Sequence, residues 1–156
     1  MPTSADIVVL REGTEGLSTG SYTEELRARL PGRTVVRART PSEERELIAG
    51  ARIVTGNTLD ESLLAEAESL ELFACTYAGT DHLPTEALEA AGVAVTNGSG
   101  IHAPGIAEQA IGNALVFSRR LHEGWRRKQR REWRHFQSGE LTDSTVTVIG
   151  LGSIGE

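Results

Sequence analysis

"TVTVIGLGSIG", residues 145–155, reads as a β-strand running into a Gly-x-Gly-x-x-Gly turn. The β-branched residues from Thr145 to Ile149 favour extended backbone. Each glycine of such a turn has its own task. Gly150 lets the chain turn tightly off the strand, Gly152 leaves room for a pyrophosphate, and Gly155 lets a helix pack closely. The backbone N–H groups of Ser153 and Ile154 then stand at a helix N-terminus, where unpaired donors and the helix dipole favour an anion. Gly150, Gly152, Ser153, Ile154 and Gly155 are therefore the candidate cofactor-binding residues. Taken alone, the same pattern also fits a glycine-rich connection that holds no ligand.

Upstream of this stretch a rhythm recurs. Short β-branched runs alternate with capped, polar, helix-like segments. The strand candidates are Ile7–Leu10, Thr34–Val36, Ile53–Val54, Leu70–Thr76 and Val93–Val95. Between them lie helix candidates at Tyr22–Leu30, Pro41–Ala49, Asp60–Ala67 and Pro84–Ala91, punctuated by Pro31-Gly32, Gly50 and Gly92. Strand and helix in alternation, with short links, predict βαβ units and a parallel sheet. The expected architecture is α/β, with a flavodoxin-like domain over residues 1–100. A long linking helix and loop over 101–143 and the start of a dinucleotide-binding (Rossmann) domain over 144–156 follow. The linking helix carries an apolar stripe of Ile106, Ala110, Ala114, Phe117 and Leu121.

Composition narrows the class. The chain has 156 residues, 38% hydrophobic, with a net charge of −6. That fits a folded domain rather than a disordered one. Cys75 is the sole cysteine, so no internal disulfide can form. No apolar run reaches the length of a membrane helix and no signal-peptide pattern is present, so the expected setting is the cytoplasm. No metal-ligand spacing stands out. Charge is uneven: residues 1–118 hold 17 acidic and 8 basic side chains, and residues 119–156 hold 5 and 8.

Two further stretches carry chemistry. "CTYAGTDHLP", Cys75 to Pro84, leaves the fourth strand through small residues. Ligands of open parallel sheets bind beyond the carboxyl ends of strands, and small residues there leave N–H groups open to a carboxylate. An ordinary strand-to-helix turn fits these residues too. "VTNGSGIHAPGIAEQAIG", Val95 to Gly112, leaves the fifth strand and enters the long helix near Ala103-Pro104, with His102 just ahead of it. A single loop histidine is more often solvated than catalytic.

In order and spacing these motifs resemble the D-isomer-specific 2-hydroxyacid dehydrogenase family over about residues 50–156. The resemblance rests on "YAGTD", "GVAVTN", "IAEQAIGNALVFSRR", Trp133 and "VTVIGLGSIG". It implies a substrate domain and a Rossmann domain, and reduction of a 2-keto acid to a D-2-hydroxy acid by NADH or NADPH. It implies that N–H groups around Ala78 and Gly79 hold the substrate carboxylate. His102 falls where the family often carries a polar residue, frequently asparagine, facing the substrate; histidine is a departure. The family's catalytic arginine, glutamate and histidine all follow the glycine turn, so no catalytic residue is assigned within these 156 residues. His82, His122 and His135 match none of those positions. The chain is expected to be the first half of such an enzyme, inactive alone.

"WRRKQRREWRHF", Trp125 to Phe136, suggests a rival reading. Basic residues interleaved with aromatics can hold single-stranded nucleic acid. The acidic chain as a whole opposes a phosphate-rich partner. The resemblance instead implies a homodimer packed through this helical region, and Trp125 and Trp133, eight apart and near one helical face, are candidate anchors for it. The alternative is thus a non-catalytic dimerisation or nucleic-acid-binding module.

Overall fold

The computed structural model describes residues 5–12 and 16–156. By contacts the chain divides into two compact units, Met1–Ser99 and Gly100–Glu156.

The first unit is a five-stranded parallel sheet. Its strands are β1 (Ile7–Val9), β2 (Val35–Arg37), β3 (Ile53–Gly56), β4 (Leu72–Cys75) and β5 (Ala94–Thr96), in the order β2-β1-β3-β4-β5. This is the flavodoxin-like order. Register is set residue by residue, with Val8 beside Val36 and Val54, and Val54 beside Phe73. Helices α1 (Thr19–Arg29), α2 (Pro41–Ile48), α3 (Glu61–Leu64) and α4 (Thr85–Ala90) connect the strands.

Strand residues alternate between two cores, as period two requires. Val8, Leu10, Val54, Phe73 and Cys75 pack with Ile48, Leu59, Leu63 and Leu88 on one face. Ile7, Val9 and Val35 pack with Tyr22, Leu26 and Ile53 on the other. All three residues of β5, the strand at the sheet edge, are exposed.

The helix starts follow from local chemistry. The Thr40 hydroxyl accepts from the Glu43 N–H ahead of Pro41, and the Asp60 carboxylate accepts from the Leu63 N–H. Hydrogen bonds from the Ser62 hydroxyl, then from Leu63, hold the Asp60 carboxyl below the usual aspartate range. Its folded pKa is depressed, so the stabilisation is present above the unfolded pKa and is lost as pH falls through the folded one. Asp60→Ala is expected to cost about 1 kcal/mol at neutral pH. Asp60→Asn keeps the cap but removes this acid dependence. Urea unfolding at neutral pH and below about pH 4 checks both; equal acid sensitivity in wild type and Asp60→Asn would count against it.

Glu44 is the one buried carboxylate among the described residues. It accepts from the Arg11 backbone N–H at 2.7 Å and from Arg11 Nε at 3.0 Å. The pair ties the chain leaving β1 to α2.

In the second unit, the single long linking helix expected from sequence is two helices, α5 (Ala103–Ser118) and α6 (Leu121–Gln129). Arg120 between them lies in the left-handed region, at φ 54°. The break is set by contacts from further along the chain. The Ser118 carbonyl accepts the Gly139 N–H at 2.8 Å, closing the helix end, and Arg120 reaches the Gln137 carbonyl at 3.0 Å. The apolar stripe is not covered: no residue of α5 or α6 is buried, and Ile106, Phe117 and Leu121 are exposed. Residues 145–149, read as a sixth strand, make no ladder with any described strand. A strand forms only where a neighbour takes its backbone groups, and the sheet of the first unit ends at β5. Among the described residues no helix is long and apolar enough to cross a membrane.

Candidate functional site

In the first unit the chain leaves β4 through Thr76, Tyr77, Ala78, Gly79 and Thr80. The N–H groups of Ala78, Gly79 and Thr80 donate to no acceptor among the described residues. Their carbonyl sides are fixed. Asn97, just past β5, donates from Nδ2 to the Ala78 carbonyl at 2.7 Å, and the Gly98 N–H donates to the Tyr77 carbonyl at 2.9 Å. The loop is therefore held from behind while its donors stay open. Gly79 is not demanded by packing: an added Cβ would meet only the Tyr77 ring, at 3.8 Å. Its smallness keeps the approach to those donors clear.

Two residues at this end of the sheet escaped the reading of the sequence. His82 Nε2 lies 2.7 Å from the Asn57 carbonyl, with Tyr77 packed edge-on against its ring. Asn57 follows β3 directly, as Thr76 follows β4. The Asn57 side-chain oxygen and the Thr76 hydroxyl are buried with no hydrogen-bond partner. A buried orphan polar atom is uncommon in a folded core. Their signal was positional, polar residues at the carboxyl ends of adjacent strands, and motif matching does not weigh it.

The second unit holds the other candidates. His102 is the residue preceding α5, exposed, with no side-chain cap hydrogen bond. Ala78 and Gly79 belong to one unit and His102 to the other. Within the second unit the loop ahead of α5 runs beside the glycine turn: a Cβ on Gly100 would lie 3.9 Å from the Ser153 Cβ.

The glycine turn fits a phosphate on three observations. Gly150 has φ +95°, a conformation that side chains disfavour. Gly152 has nothing within 4 Å of an added Cβ, so its backbone is open to close approach. At Gly155 an added Cβ would overlap the Gly150 carbonyl oxygen, so the turn itself requires glycine there. The N–H groups of Ser153 and Ile154 donate to nothing among the described residues, while those of Gly155 and Glu156 bond back to the Gly152 carbonyl as a helical turn begins.

Comparison with known proteins gives a consistent result. Residues 14–151 match the family described as "D-isomer specific 2-hydroxyacid dehydrogenase, catalytic domain". The chain is 31% identical over 128 residues to a D-3-phosphoglycerate dehydrogenase of Mycobacterium leprae, covering 81% of this chain and 23% of that protein. It is 29% identical over 112 residues to a glyoxylate/hydroxypyruvate reductase of Arabidopsis thaliana, covering 69% and 35%. Among solved structures it resembles a D-isomer specific 2-hydroxyacid dehydrogenase family protein of Aeromonas salmonicida, with TM-score 0.75, 26% identity and coverage of 97% and 48%. A D-lactate dehydrogenase of Aquifex aeolicus, solved with NAD and lactic acid, shares the fold at TM-score 0.71 and 21% identity, covering 96% and 45%. The chain spans about half the length of these structures, and 23% and 35% of the two sequence relatives.

Proposed function

The chain belongs to the D-isomer specific 2-hydroxyacid dehydrogenase family, and from that membership we propose that it forms the substrate-holding part of an oxidoreductase acting on a 2-keto acid and its D-2-hydroxy acid. The observation that carries this reading is the row of open N–H donors at Ala78, Gly79 and Thr80, braced from behind by Asn97 and Gly98. Such a row suits a carboxylate, because each donor is fixed before the ligand arrives. His102, ahead of α5, is a further substrate-binding candidate in this reading. We assign residues 1–100 to the substrate domain, 101–143 to the linking region and 144–156 to the start of the dinucleotide-binding domain.

Gly150, Gly152, Ser153, Ile154 and Gly155 would hold the pyrophosphate of NAD or NADP. When bound, the nicotinamide supplies the hydride for the keto carbon. The residues of this chain bind and orient: the cradle fixes the carboxylate, and the glycine turn fixes an anion without a side chain in the way. The proton donor to the carbonyl oxygen and the cationic partner of the carboxylate lie outside these residues in this reading. The 156-residue chain is accordingly inactive alone. The setting is cytoplasmic, and the assembly is a homodimer for which the uncovered apolar face of α5 is one available surface.

The test is a titration of isotope-labelled chain with pyruvate and glyoxylate, followed by amide shifts. Saturable shifts at Ala78, Gly79 and Thr80 are expected, weakened in Gly79→Ala although that variant keeps the wild-type fold. Shifts confined to the arginine-rich residues 126–134 would overturn the assignment. So would oxidation of NADH above a buffer blank by protein of verified mass, which would place the proton donor inside this chain.

A further inference from the structure

The arginine-rich stretch is not used by the reading above, and its geometry has a feature of its own. After α6 the chain hooks back through residues 130–136. The Arg131 N–H bonds to the Lys128 carbonyl at 3.0 Å and the Glu132 N–H to the Arg127 carbonyl at 2.9 Å. This pair of bonds closes a helix end by a Schellman motif, whose left-handed position is usually glycine. Here it is Arg131, at φ 57°. A cation thus stands at a position where its backbone is strained.

The hook borders an open cavity of about 720 Å³. Arg127, Lys128, Arg131, Arg134, Trp133 and Phe136 line it. Arg127 is committed, paired to Glu123 and stacked 4.6 Å from the Phe136 ring centroid. Glu123 also takes Arg120, and Glu140 takes Arg119. Arg131 and Arg134, by contrast, form no ion pair with any described carboxylate. Glu132 is the single acid on the lining. The Trp133 indole beside them is fully exposed. The volume lies within the range of small-molecule sites.

We propose that this cavity binds a free nucleoside polyphosphate, its phosphates among Lys128, Arg131 and Arg134 and its base stacked on Trp133. Unpaired guanidinium groups favour a polyanion, and an exposed indole beside them favours a ligand with a planar ring. A free nucleotide suits the site better than a nucleic-acid strand. The cavity is local, and the chain's net charge of −6 repels an extended polyanion. The site is formed by residues 124–136 and is separate in sequence from the glycine turn at 150–155.

Calorimetric titration of the 156-residue chain with ATP tests this, with inorganic tripolyphosphate and a dT12 oligonucleotide as comparison probes. Saturable ATP binding is expected, tighter than tripolyphosphate and tighter than dT12. Arg131→Gly is the decisive variant, because glycine suits the left-handed position and its melting temperature should match or exceed wild type. Its ATP affinity should nevertheless fall by about tenfold or more, the loss expected for a charge-assisted contact. Arg134→Gln, which leaves the helix end intact, should weaken ATP similarly, and Trp133→Ala should bring ATP down to the affinity of tripolyphosphate. Unchanged affinity in Arg131→Gly and Arg134→Gln, tripolyphosphate equal to ATP in wild type, dT12 tighter than ATP, or no saturable binding would each overturn the proposal.

Discussion

Phe73→Ala is expected to lower the unfolding free energy of the unit Met1–Ser99 by about 3–5 kcal/mol. Phe73 is fully buried in β4, with Val54 of β3 on one side in register and Val95 of β5 on the other. It is the largest of the fully buried side chains and shares a core with Ile48, Leu59 and Leu88, each from a different connection. Truncation removes the hydrophobic transfer energy and leaves a cavity that a parallel sheet, braced on both sides, cannot collapse to fill. Single domains are stable by about 5–15 kcal/mol, so this one change removes a large share. The consequence reaches the candidate site, because β4 delivers Tyr77 to Thr80. Urea unfolding followed by circular dichroism measures the loss, with Phe73→Leu as a milder control. A change below about 1 kcal/mol would mean that the two cores do not carry the unit as described.

The five strands and the first four helices were readable because each rests on local signals. Thr40 before Pro41, Asp60 before α3, and β-branched runs between glycines need no distant partner to be recognised. The break at Arg120 was not readable for the opposite reason. No glycine or proline marks it, and its cause is a hydrogen bond to Gly139, some twenty residues away. The apolar stripe read along one helix is cut by that break, with Leu121 falling on α6 rather than α5, and periodicity does not say what covers the rest. At the candidate site, the Ala78-Gly79 pair announces itself by small size at a strand end. The contact between His82 and Asn57 spans 25 residues and exists only once β3 and β4 are adjacent. Arg131 shows the same limit: its left-handed backbone is invisible in "RRKQRR", where glycine would have been the cue.

The 156-residue chain is expected to self-associate in solution through residues 145–149. Val146, Val148 and Ile149 are 81%, 55% and 96% exposed. The backbone of this stretch pairs with no strand, so its N–H and C=O groups are open to another chain. Burying one such side chain gains about 1.5–3 kcal/mol, and a strand pair buries them on both copies at once. Val146→Lys with Ile149→Lys removes two apolar side chains and adds like charges to both strands of any symmetric pair. Association should weaken by about a hundredfold or more. The exposed face of α5 is a competing surface, and Ile111→Lys separates the two. If α5 carries the contact, that single change should dissolve the assembly while the double change leaves it intact. Sedimentation equilibrium across a concentration series reads all three proteins. A wild-type chain that stays monomeric up to millimolar concentration would end the prediction. It would show that charge repulsion in a chain of net −6 outweighs what these exposed residues gain by pairing.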